Sequence, residues 1–105
     1  MPKYRKKPVV IEAFQITLEA RWNNSDWPNW LNLAWNKPNE AEGAVYPSRD
    51  HPNNPDQDSP DVLQIQTLEG VHNVSLGDFI IKGIRGELFP CKSEIFHATY
   101  ELVPD

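Results

Sequence analysis

Lys82-Gly83-Ile84-Arg85-Gly86 forms a basic turn between two apolar runs. Gly-rich turns expose backbone N–H groups, and the two cations beside them favour an anion such as a phosphate. A hairpin needs glycine for positive φ in any case, so an ordinary turn is the commoner reading and phosphate contact the sharper one. Lys92 follows in the same region, and Trp30 and Trp35 offer indole faces on which a planar base can stack. Trp30, Trp35, Lys82, Arg85 and Lys92 are therefore the candidate ligand-binding residues, and a nucleotide-like small molecule is the ligand they fit.

The other reactive side chains suggest less. His51, His72, His97 and Cys91 fall in different elements, without Cys-x-x-Cys or His-x-x-x-His spacing, so a metal site is not expected. Cys91 lies beside Lys92 and near the start of a predicted helix, both of which lower a thiol pKa. With no evident base nearby, a small buried hydrophobe is the commoner role for such a cysteine. No Walker loop, dinucleotide fingerprint, kinase set or hydrolase elbow occurs. The expectation is a non-enzymatic protein without metal or cofactor.

The chain has 105 residues and a mass of 12.1 kDa, which predicts a single domain over 1–105. A hydrophobic content of 39% with four Trp and four Phe supplies one modest core. No apolar run approaches the roughly 20 residues of a membrane span, and the basic N-terminus lacks the apolar segment of a secretory signal. One cysteine excludes an intramolecular disulfide and fits a reducing cytosol. The net charge of -5 argues against non-specific DNA coating. That charge is uneven. Lys3, Arg5, Lys6 and Lys7 open the chain, while Glu40, Glu42, Asp50, Asp56, Asp58 and Asp61 face a lone Arg49 later on.

Positioning these groups requires the following elements. Pro8 to Ile16 reads as a first strand with neither face cleanly polar. Trp27, Trp30, Leu31, Ala34 and Trp35 recur at helical spacing, predicting a helix over 26–36 with Ser25 or Asp26 as N-cap and Pro28 in its first turn. Residues 38–60, rich in Pro, Asn and Asp, read as a long surface loop, with a short edge strand at Val45-Tyr46. From Val62 the pattern turns to β. A hairpin turns at Leu68-Glu69-Gly70, Phe79-Ile80-Ile81 forms a central strand, and Leu88-Phe89 returns and ends at Pro90. Ser93 caps a short helix, and Tyr100 to Val103 closes as a last strand. The predicted class is α+β: a small curved antiparallel sheet, the Trp-rich amphipathic helix packed on it, and a second short helix near the C-terminus.

The stretch Lys3-Tyr4-Arg5-Lys6-Lys7-Pro8-Val9-Val10-Ile11-Glu12-Ala13-Phe14 resembles the opening of a widespread, mostly uncharacterised family of small tailed-phage and prophage proteins. Ser75-Leu76-Gly77-Asp78-Phe79-Ile80-Ile81-Lys82-Gly83 is similar to that family's Pro-Gly-Asp-aromatic motif, with Leu76 in place of Pro and Phe79 in place of Trp or Tyr. The likeness continues through Gly86-Glu87-Leu88-Phe89-Pro90-Cys91-Lys92 to Phe96 and Tyr100, covering 2–15 and 62–103. It implies a phage gene product in the cytoplasm of an infected bacterium and transfers no activity. Together with the candidate residues, it leads to an accessory protein, possible as an oligomer, that counters a host process by sequestering a nucleotide-like signal. The alternatives are an inhibitor that meets a host protein through its acidic loop, and a minor virion or assembly component.

Overall fold

The computed structural model describes residues 2–5, 7–47 and 63–104. Within these, the chain forms β1 (Glu12–Gln15), α1 (Leu18–Trp22), α2 (Asn29–Trp35), β2 (Val45–Pro47), β3 (Leu63–Thr67), β4 (Gly70–Val74), β5 (Phe79–Lys82), β6 (Leu88–Cys91) and α3 (Ser93–Thr99). The class is α+β, as the pattern of the sequence predicts. Arg49, His51, Asp50, Asp56, Asp58 and Asp61, and with them most of the expected acidic loop, lie outside the described residues.

The strands form two antiparallel sheets rather than the single curved sheet expected, one in the order β1-β5-β6 and the other β2-β3-β4. The reason lies at β5, the most apolar strand. Its two edges are taken by β1 and β6, so β4 cannot pair with it although it precedes it in sequence. The Ser75–Asp78 turn carries the chain from one sheet to the other. Gly77 sits there at a φ of 91°, a conformation that favours glycine, and its N–H donates to the Ile16 carbonyl at 2.7 Å. In the β3–β4 hairpin, Thr67 Oγ1 accepts from the Glu69 N–H and donates to the Gly70 carbonyl, closing the turn at the expected place.

Alternation along the strands sets the layers. Val45, Leu63, Ile65 and Val74 point from the second sheet into the core, where they meet Ile80 and Leu88 of the first sheet together with Ile16, Leu31 and Ala34. Each of the large aliphatics, fully removed from water, contributes roughly 1.5–3 kcal/mol. The opposite face of the second sheet carries Gln64 and Asn73, hydrogen-bonded to each other, and Tyr46 and Gln66. The other face of the first sheet holds Phe79, against which Phe96 of α3 stacks at 3.9 Å between ring centroids.

The tryptophan segment differs from the predicted single helix. Residues 18–22 form a helix of their own, capped by Thr17, whose hydroxyl accepts from the Ala20 N–H at 3.1 Å. Ser25 does not cap α2; its N–H and hydroxyl both bond the Asn23 side chain, and Pro28 occupies the N-cap position. Trp27 therefore stands before α2, 8% exposed, with Nε1 donating to the Ala20 carbonyl at 2.8 Å. It joins the end of α1 to the start of α2 and packs edge-on against Trp35.

Three further boundaries move. β1 begins at Glu12 rather than Pro8, because Glu12 pairs with Lys82 and β5 ends there. Pro90 lies inside β6, opposite Ile80, and α3 is capped at Lys92 with Ser93 as its first residue. Tyr100 to Val103 forms no strand; Leu102 is 94% exposed.

Candidate functional site

The five candidate residues do not meet at one place. Trp30, half-buried on α2, lines a groove of about 630 Å³ between the chain ahead of β1 and α3. Arg85 lines a different groove of about 660 Å³, between the β5–β6 turn, the β3–β4 hairpin and the turn at 37–43. Trp35 is 38% exposed and packs on Trp27, away from both linings. Lys82 Nζ lies 3.7 Å from Glu12 Oε2, and Lys92 Nζ donates to Asp78 Oδ2 at 3.1 Å. Two of the three cations thus have internal partners in reach.

The basic turn also supplies its own anion. The Gly86 N–H closes the turn on the Gly83 carbonyl, and the Arg85 N–H donates to Glu87 Oε2 at 2.9 Å. The Glu87 carboxylate fills the space beside Gly83 where a Cβ would stand. A carboxylate already satisfies part of what a phosphate would take, while the Arg85 side chain stays exposed.

Lys92 is held in the same manner. Asp78, 5% exposed, accepts from the Ser75 N–H at 2.9 Å as well as from Lys92. That carboxylate bears on Cys91, next in the chain to Lys92. Burial first, and then the charge of Asp78, push the Cys91 thiol above its ordinary value of 9.0. The expectation that Lys92 and the helix start would lower this pKa is therefore corrected: the ammonium is turned to Asp78, and burial and the Asp78 carboxylate both act in the opposite direction.

The first groove is lined mainly by apolar and aromatic side chains. Phe79 of β5, Phe96 of α3 and Tyr100 just beyond it join Trp30 around the opening, with Val10 and Glu101 at its margins. Phe96 holds the set together, stacked on Phe79 and 5.1 Å from Tyr100. Its volume falls in the range of about 300–1,000 Å³ usual for small-molecule pockets, which are largely apolar with a few polar groups. Here those are His97 and Glu101, while Glu12, also in the lining, shares its sheet face with Lys82 and Ile80 rather than with Phe79. Sequence reasoning found Trp30 and missed Phe79, Phe96 and Tyr100 as a site. The signal was present in the i, i+4 spacing of Phe96 and Tyr100, but nothing local said that Phe79 would stand beneath them.

Among the described residues no three His, Cys, Asp or Glu side chains gather as metal ligands, and no helix is long and apolar enough to cross a membrane. No protein-family model, curated protein or solved structure matches the chain.

Proposed function

We propose that this chain is a non-enzymatic phage accessory protein, acting in the cytoplasm of an infected bacterium, that counters a host process by binding a small nucleotide-like signal in the aromatic groove. The observation that carries the reading is the convergence of Trp30, Phe79, Phe96 and Tyr100 on one opening of about 630 Å³. A base stacks on such rings whatever its identity, each stack contributing roughly 1–3 kcal/mol. Glu101 offers an acceptor for the amino groups of a base. The acidic margin disfavours a chain of phosphates, so the fitting ligand carries few.

Titration calorimetry of the purified protein against mono-, di- and cyclic nucleotides tests this, alongside heat extraction of any compound that co-purifies. The expected result is saturable binding that Trp30→Ala weakens about 5- to 150-fold, the equivalent of one lost stack. Absence of binding to every compound at high micromolar concentration, with nothing extracted, rejects the reading. Binding that Trp30→Ala and Tyr100→Ala leave unchanged rejects the groove.

A further inference from the structure

The geometry points to a second copy of this chain as the partner of the free edge of β1, paired antiparallel about a two-fold axis near Val10. The Ile16 N–H donates to the Asp78 carbonyl at 2.8 Å, in line with the β1–β5 register. In antiparallel pairing, alternate residues turn their N–H and C=O groups to the neighbour. Phe14 and Glu12 therefore bond β5, and Ala13 and Gln15 present theirs to the other side. β1 is the edge of its sheet, and no strand among the described residues covers that row.

The chain ahead of β1 fits such pairing. Val10 is 75% exposed and Val9 is exposed beside it, two apolar side chains left uncovered just ahead of the sheet edge. Residues 7–11 lie ahead of β1 and outside any strand of one copy. Continued in extended form by the pairing, Pro8 would share the parity of Glu12 and Phe14, so its missing donor would fall on the inner side and leave the outer row intact. Lysines at an edge ordinarily deter pairing by repulsion. With Val10 opposite its own copy, however, Lys7 falls opposite Ala13 of the second copy, on the side of the sheet where Glu101 borders the groove. Basic and acidic halves lie on the same chain, so a two-fold axis satisfies the contact twice, which is the self-complementarity of an isologous dimer. This argument for a second copy over an unrelated partner does not rest on the ligand proposed above.

Sedimentation velocity of the full chain without ligand, from low to high micromolar concentration, tests the pairing. A dimer is expected. Ala13→Pro removes an outward N–H and spares the bonds to β5, and it should weaken the dimer about tenfold or more. Should that variant fail to fold, Val10→Asp decides, because Val10 contributes nothing to the core of one copy. Val71→Asp, on the opposite face of the second sheet, should dimerise as the wild type does. Lys7→Glu and Glu101→Lys should each self-associate more weakly and recover when mixed. A wild type that stays monomeric throughout overturns the proposal, as does a dimer indifferent to both Ala13→Pro and Val10→Asp. Failure of the charge-swapped pair to recover overturns the choice of a second copy.

Discussion

The aromatic groove and the basic turn make an instructive pair, because only the turn announces itself as a ligand site in the sequence. At the turn, glycines and cations stand together, yet Glu87 accepts the Arg85 N–H and Asp78 accepts from Lys92. At the groove, no motif is legible, yet side chains from β5, α2 and the end of α3 leave an apolar opening bounded by rings. A cluster of donors says that an acceptor is needed; it does not say whether the chain itself provides one. The difference teaches that anion-binding patterns in a short hairpin are to be weighed against the nearest Asp and Glu before a ligand is assigned.

The largest expected effect separates the indole that holds the fold from one left partly exposed beside it. Trp27→Ala empties a buried site and strands the Ala20 carbonyl, and should cost about 3–5 kcal/mol in urea unfolding. Trp35→Ala, at a partly exposed position, should cost about 1 kcal/mol or less. Equal costs would break the assignment of Trp27 as the joint between α1 and α2.

Asp78 comes next. Asp78→Ala leaves the Ser75 N–H without its acceptor at a buried turn and should cost about 2–3 kcal/mol. Asp78→Asn keeps an acceptor for Ser75 and should recover most of that loss. If the amide variant is as unstable as the alanine one, the ion pair with Lys92 matters more than the turn.

Smaller effects are expected from the cations. The Lys92 side chain is more than half exposed, so solvent screens its pairing, and Lys92→Ala should cost no more than about 1 kcal/mol. Arg85→Ala should change stability by no more than about 0.5 kcal/mol. A nucleotide that binds wild type but not Arg85→Ala would reverse the comparison and move the site from the groove to the turn.

The smallest effect concerns Cys91. With its thiol raised by burial and by Asp78, less thiolate is present at a given pH, and alkylation of the folded protein at pH 8 should be slower than after unfolding. For a thiol raised on folding, the unfolded chain ionises first. The contribution to stability is present below the ordinary thiol value and lost as pH rises through the folded one. Asp78→Asn should speed alkylation; no change in rate would remove the carboxylate as a cause.

Much of the fold was legible. The β3–β4 turn at Gly70, the central place of β5 and the short edge strand at Val45 follow from local patterns of Gly, Val and Ile. α1 was missed although Thr17, Glu19 and Arg21 supply a cap, an acid in the first turn and a base in the last. Its brevity, five residues, leaves no hydrophobic period to count. The predicted strand at Tyr100–Val103 has apolar residues of the right kind, but strand formation depends on a partner that the segment does not find among the described residues.

The sequence by itself determined the α+β class, the hairpins and the apolar positions that become the core, because each depends on neighbours a few residues away. Tertiary structure alone decided that the strands split into two sheets, that Trp27 is buried while Trp35 is not, and that Phe79, Phe96, Tyr100 and Trp30 share one groove. The physical reason is the same in each case. A strand edge, a ring face or a carboxylate has a local preference for some partner, but which one it meets is settled by competition across the whole chain, where β5 can be flanked only twice and each acid can answer only the donors within its reach.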